Sequence, residues 1–190
     1  MTSSTSLDDT LDLPETLSTE EVGRVLGRTA PAGSLILLSG PTGAGKTSLA
    51  KGVAQGLGIP ATIVSPTFLY LQGYECKKDG ARLDLLHADW DRVSGFPEDL
   101  EETLFEGLEN RVTIVEWGEK ISGSLRDSFP MVVHITIAFH ADGRRLSMSW
   151  IAQTGGGASA WRDSFFSGMA GFSGSRPDAG IRQPAPAPFS

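Results

Sequence analysis

Residues 40–47, Gly-Pro-Thr-Gly-Ala-Gly-Lys-Thr, carry the clearest chemistry in this chain. The spacing G-x-x-x-x-G-K-[ST] is met by Gly40, Gly45, Lys46 and Thr47. Gly40, Gly43 and Gly45 let the backbone turn so that successive N–H groups point at phosphate oxygens. A helix starting at the lysine adds the partial positive charge of its N-terminus. Lys46 is of the type that reaches β- and γ-phosphates, and the Thr47 hydroxyl is of the type that holds Mg²⁺. Thr42, Ala44 and Ser48 complete the expected nucleotide-contacting set. Pro41 lacks an N–H, but it stands at the start of the loop, where that donor is least needed. The base is read from an absence. Ras-type GTPases recognise guanine through Asn-Lys-x-Asp, whereas the sole asparagine here, Asn110, is followed by Arg111-Val112-Thr113. The expected ligands are therefore ATP and Mg²⁺.

Two carboxylates stand where such a ligand needs them. In open α/β sheets the ligand lies at the carboxyl ends of the strands. Glu116 ends "VTIVE", the position of a Mg²⁺-supporting acid, and Asp89 follows "LDLLHA", placed to orient the attacking water. His87, two residues before Asp89, reads either as a third participant or as a structural hydrogen-bonder. Thr67, in "VSPTF", reads either as a switch threonine near the γ-phosphate or as part of a proline-stiffened loop without ligand contact.

The surrounding pattern supplies elements to hold these groups. Ser18-Thr-Glu-Glu21 is a capping box before Val22, Val25 and Leu26, predicting a first helix that closes near Gly33. Residues 34–39, "SLILLS", read as a buried strand, and Leu49, Val53 and Leu57 as the apolar stripe of a helix closed by Gly58. Residues 82–88 and 111–115 read as further strands, with a helix between them opened by Pro97 and striped by Leu100, Leu104 and Leu108. Val133, Ile135, Ile137 and Phe139 alternate on one face, Asp142-Gly143 signals a hairpin, and Leu146, Met148 and Trp150 alternate back. The expected fold is α/β: a phosphate-loop (P-loop) NTPase-like three-layer sandwich with a mainly parallel sheet and a C-terminal antiparallel hairpin.

Composition sets the limits. The chain has 190 residues, 39% apolar and 21% charged, enough for one core. No apolar run approaches a membrane span, and the acidic start lacks the basic-then-apolar pattern of a secretory signal, so a cytoplasmic protein is expected. Cys76, the single cysteine, reads as a spare loop thiol. The net charge is −7, and between Glu98 and Glu119 eight acids face one base, Arg111. That surface disfavours direct binding to a phosphate backbone; it reads as a solvated helix face or a dock for a basic partner. Residues 1–151 read as the ATPase domain. Residues 152–190, with seven Gly, four Pro, six Ser and seven Ala, read as a flexible tail, with "WRDSFFSGMAGF" as the one stretch apolar enough for a short docking helix.

Together, "LSGPTGAGKTSLAKGVAQGLGI", "VSPTF", "LLHADWDR" and "VTIVEWGE" resemble, in order and spacing, the TsaE (YjeE) family of small bacterial ATPases over about residues 10 to 150. The resemblance implies an accessory ATPase for threonylcarbamoyladenosine formation in tRNA, working with the TsaB and TsaD proteins and touching tRNA only through that complex. It implies that Lys46 and Thr47 bind nucleotide and metal, Glu116 supports Mg²⁺, Asp89 serves hydrolysis and Thr67 acts as a switch. Trp117 becomes a packing or nucleotide-side residue. The chain departs from the family at Pro41-Thr42, where an acid and Leu are usual; at Asp91, where Tyr is usual; and at Gly23, where a threonine is often found. The alternative is a small P-loop kinase, which needs an arginine-bearing lid. Arg126, Arg144 and Arg145 are the arginines between Glu116 and Trp150, and they form no clear lid.

Overall fold

The computed structural model describes residues 5–15, 17–59, 71–78, 81–91, 103–121, 123–153 and 157–171. The strands are β1 (Thr5–Leu13), β2 (Ser34–Ser39), β3 (Leu71–Tyr74), β4 (Lys77–Lys78), β5 (Ala81–Arg82), β6 (Asp84–Asp89), β7 (Arg111–Glu116), β8 (Met131–His140) and β9 (Gly143–Ala152). The helices are α1 (Thr19–Thr29), α2 (Lys46–Leu57), a one-turn α3 (Gly123–Asp127) and α4 (Gly157–Met169). No helix among the described residues is long and apolar enough to cross a membrane.

Seven strands form one sheet in the order β1-β9-β8-β2-β7-β6-β3, and β4 pairs with β5 as a separate ribbon. The centre, β8-β2-β7-β6, is parallel, whereas β1–β9, β9–β8 and β6–β3 pair antiparallel. The expectation of a mainly parallel sheet is thus corrected. Among the described residues of this sheet, parallel and antiparallel pairings are equal in number, because β1 and β3 each add an antiparallel edge, beside the expected β8–β9 hairpin, that the apolar patterning does not announce.

β2 is buried along its whole length, and its side chains alternate between two cores. Ile36 and Leu38 join the larger cluster, with Val25, Leu26, Leu49 and Val53. Leu35 and Leu37 join a smaller one on the other face, with Trp90, Leu104, Leu125 and Phe129. β2 is therefore sandwiched, which is why its sequence is a continuous apolar run.

α1 begins as its capping box requires: the Glu21 N–H donates to Ser18 Oγ (3.2 Å), and the Ser18 N–H donates to Glu21 Oε2 (2.8 Å). Hydrogen bonds from Ser18 hold the Glu21 carboxyl below its usual range. Helices α1 and α2 meet through glycines on both partners. A Cβ at Gly23 or Gly27 would collide with the Leu49 or Val53 carbonyl, and one at Gly52 or Gly56 with the Glu20 or Arg24 carbonyl. Backbone thus rests on backbone.

Three further expectations change. Val133, Ile135 and Ile137 are buried, but Phe139 is 57% exposed, because β8 runs beyond the core before it turns. Of the Pro97 helix, residues 103–105 are helical with Leu104 buried; Pro97 and Leu100 lie outside the described residues. Residues 157–169, within the stretch read as tail, form α4 and bury Trp161 and Phe165 against Trp150. Asp9 of β1, buried, accepts two hydrogen bonds from Arg162 of α4, both 2.6 Å. Residues 172–190 lie outside the described residues. Cys76 is buried, and its thiol donates to the Leu57 carbonyl at 2.8 Å, so it is a packed side chain and not a spare one.

Candidate functional site

The glycine-rich loop leaves β2 at Gly40 and enters α2 at Lys46, so a fully buried strand and a packed helix fix its two ends. Gly40, Gly43 and Gly45 have φ of 135°, 78° and 114°. These values lie in the region glycine alone occupies cheaply, which is why the three positions take that residue. Gly45 is also held by space, since a Cβ there would sit 2.6 Å from Thr19 Oγ1 of α1.

Beside the loop is a cleft of about 260 Å³, lined by Thr42, Gly43, Gly45–Ser48, Asp89, Asp91, Glu116 and Trp117. The Lys46 ammonium donates to the carbonyls of Gly40 (2.7 Å) and Pro41 (3.0 Å) and lies 4.0 Å from the centroid of the Trp117 ring. Trp117 directly follows β7 with φ 62°, a left-handed conformation unusual for a tryptophan. That turn brings the indole against the lysine.

The adjacent strand ends supply the acids. β6 and β7 pair in parallel with Asp89 opposite Glu116, and β7 pairs with β2. Thr47 Oγ1 donates to Glu116 Oε2 at 2.8 Å. The other oxygen, Glu116 Oε1, lies 3.0 Å from Nε2 of the fully buried His87. A carboxylate oxygen only accepts, so Nε2 carries the hydrogen, and the buried Nδ1 has no partner among the described residues. Both oxygens of Glu116 are therefore directed, one by the helix threonine and one by the neighbouring strand. Asp89 Oδ1 accepts the Asp91 N–H at 3.0 Å, and Lys120 Nζ donates to the carbonyls of Trp90 (2.6 Å) and Asp91 (2.7 Å), fixing the turn after β6.

The structure brings together most of the residues singled out by motif. Gly40 and Ala44 do not line the cleft: Gly40 serves through its carbonyl and packs on Ile137, while Ala44 is buried. Thr67 lies outside the described residues. His87 is the buried partner of Glu116 and does not line the cleft. Two contacts have no signal in the motif spacing. Thr19 abuts Gly45 from α1, and Arg144 of β9 donates to the Ala44 carbonyl at 3.1 Å. Glu116, counted in the acidic run, is 2% exposed and belongs to the site and not to a solvated face.

The cleft joins the Lys46 ammonium and the glycine-rich loop to three carboxylates, those of Asp89, Asp91 and Glu116. Among the described residues no group of three His, Cys, Asp or Glu side chains is arranged to hold a metal on its own.

Known proteins place this arrangement. The profile described as threonylcarbamoyl adenosine biosynthesis protein TsaE matches residues 13–146. The tRNA threonylcarbamoyladenosine biosynthesis protein TsaE of Streptomyces coelicolor is 35% identical over 131 residues, covering 62% of this chain and 87% of that protein. The protein of the same name from Mycobacterium bovis is 33% identical over 147 residues, covering 74% of this chain and 86% of its own. The crystal structure of Bacillus subtilis YdiB superimposes with a TM-score of 0.56 at 26% identity, over 90% of this chain and 98% of that one. A family match running from the end of β1 into β9 takes in the loop, both acidic strand ends and the hairpin, and on that ground the chain belongs to the TsaE family.

Proposed function

We propose that this chain binds ATP with Mg²⁺ in the cleft and hydrolyses it slowly, as a cytoplasmic accessory ATPase of the machinery that makes threonylcarbamoyladenosine in tRNA. Its partners in this reading are the TsaB and TsaD proteins, with tRNA reached only through them. The observation that carries the reading is the Thr47–Glu116–His87 chain of hydrogen bonds, set beside Lys46 at adjacent strand ends. The sheet, with helices α1, α2 and α4 over one face and a second core on the other, agrees with a P-loop NTPase-like three-layer sandwich.

The donor set suits Mg²⁺. Thr47 Oγ1 and Glu116 are hard oxygen donors, and Mg²⁺ is commonly held by one or two protein oxygens together with phosphates and water. When bound, the ion supplies charge neutralisation between the β- and γ-phosphates. Lys46 exchanges the Gly40 and Pro41 carbonyls for phosphate oxygens, the loop amides and the α2 N-terminus hold the remaining phosphate charge, and Asp89 orients the attacking water. Among the described residues, none of those lining the cleft is an arginine, and slow turnover by the isolated chain is part of this reading. The negative net charge agrees with leaving tRNA to partners.

Calorimetric titration with ATP, with and without Mg²⁺, tests the binding step: Mg²⁺-dependent binding is expected, and its loss in Lys46→Ala. Turnover by the isolated chain is expected below about 1 s⁻¹. Reconstitution with TsaB, TsaD and tRNA tests the rest, with Asp89→Ala expected to bind ATP yet fail to sustain modification. Fast ADP release that depends on a small-molecule acceptor would overturn the reading in favour of a kinase.

A further inference from the structure

Arg144 acts on the loop from a strand that carries none of the motif residues. It stands second in β9, just past the hairpin turn, and its guanidinium is fixed by two hydrogen bonds, with one aromatic ring beside it. Nη1 donates to the Gly143 carbonyl at 3.0 Å, the guanidinium carbon lies 4.4 Å from the centroid of the Phe139 ring, and Nε donates to the Ala44 carbonyl at 3.1 Å.

The last contact has a geometric consequence. A trans peptide points its C=O and N–H in opposite directions. Drawing the Ala44 carbonyl toward the hairpin therefore turns the Gly45 N–H the other way, toward the cleft that Gly45 lines and Ala44 does not. The Ala44–Gly45 peptide is otherwise easy to flip, because Gly45 at φ 114° has no Cβ to resist it. The flipped plane would replace a donor by a carbonyl oxygen where an anion is to bind. Neither contact made by Thr19 nor the packing of Gly40 on Ile137 supplies a hydrogen-bond donor to this carbonyl.

We propose that Arg144 is a positioning residue for the glycine-rich loop, fixing the Ala44–Gly45 peptide so that the Gly45 amide hydrogen faces the nucleotide phosphates. This rests on the ATP reading of the cleft and adds to it a determinant on the far hairpin. Losing the orientation of one amide against a phosphate group weakens MgATP binding about tenfold or more.

The test compares Arg144→Ala, Arg144→Lys and Phe139→Ala, each checked for an unchanged thermal midpoint. Titration with MgATP gives affinity, and the ¹H–¹⁵N resonance of Gly45 without nucleotide reports the peptide plane. Arg144→Ala is expected to weaken binding about tenfold or more and to shift or broaden the Gly45 resonance. Arg144→Lys, which keeps a cationic donor, recovers most of the affinity. Phe139→Ala, which removes only the stacking ring, leaves affinity and resonance near wild type. Equal affinity in Arg144→Ala, an unmoved Gly45 resonance, or the same loss in Phe139→Ala overturns the proposal. Failure of the wild-type chain to bind MgATP overturns the ATP reading instead, and the Gly45 resonance then still decides whether Arg144 sets the peptide.

Discussion

Replacing Gly52 by alanine sets two physical effects against each other with opposite signs. Gly52 lies inside α2 in ordinary helical conformation, where alanine is favoured over glycine by about 1 kcal/mol. Propensity alone therefore makes Gly52→Ala a stabilising change. Against it stands the Glu20 carbonyl of α1, which the new methyl would overlap. A carbonyl has no rotamer to give, so α1 must move off α2. Overpacking of this kind costs about 1–3 kcal/mol. Re-exposing the equivalent of two methylenes along the Val22, Val25, Leu49 and Val53 contact adds about 1.6 kcal/mol. After subtracting the propensity gain, the net loss is about 2.5 kcal/mol, which lowers the melting temperature by about 5–10 °C in a chain of this size. Circular dichroism melts of Gly52→Ala beside Gly168→Ala give the comparison. The methyl at Gly168 meets a Val25 γ-carbon at 2.6 Å and not a backbone carbonyl, so that variant is expected to lose less than Gly52→Ala. The Gly27→Ala/Gly52→Ala double variant is expected to lose less than the sum of the singles, because one separation of the helices makes room for both methyls. A Gly52→Ala protein that melts at or above the wild-type temperature refutes the backbone-contact argument.

Three more outcomes follow from contacts already described. His87→Ala leaves Glu116 Oε1 without its buried donor and opens a void; urea titration is expected to show a loss of about 2–4 kcal/mol, with weaker Mg²⁺-dependent ATP binding. Burial lowers the pKa of His134, whose ring meets Ser39 Oγ at 2.8 Å, so the unfolded chain takes up the proton first as pH falls. Stability is then highest above the ordinary value of 6.5 and declines below it, and the difference in urea midpoint between pH 8 and pH 5.5 is expected to shrink in His134→Gln. Trp161→Ala removes the edge-on partner of Trp150 at 5.3 Å, and a loss of about 3–5 kcal/mol is expected on the same urea scale.

The legible parts of the sequence were those governed by local rules. Ser18 and Glu21 sit three residues apart, so the start of α1 can be read; Gly58 closes α2 because the chain must turn left-handed there. Asp89 and Glu116 were placed at strand ends from the apolar runs before them, and the structure sets them opposite one another. What was missed depends on partners distant in sequence. The N-terminal segment reads as acidic and featureless because its three aspartates find their partners beyond residue 143. Asp8 accepts from Ser149, Asp9 from Arg162 and Asp12 from Arg145. α4 is legible only in part: "WRDSFFSGMAGF" stands out as apolar enough for a short helix, but the composition of residues 152–190 averages it with the glycine- and proline-rich sequence after it. Arg144 is 100 residues from Ala44, and no spacing rule reaches that far.

The union of β1 with the far end of the chain also sets an order of events during synthesis. Thr5 pairs with Ala152, and Asp9 waits for Arg162, so β1 cannot take its place in the sheet until β9 and α4 have been made. At ordinary elongation rates the interval is roughly 10–30 s. During it, β1 carries three carboxylates with their cations and hydroxyl still unmade, and that charge keeps a waiting strand from pairing with neighbouring nascent chains. The charge of Asp9 and Asp12 is thus neutralised only once Arg145 and Arg162 have emerged, and the sheet edge closes with them.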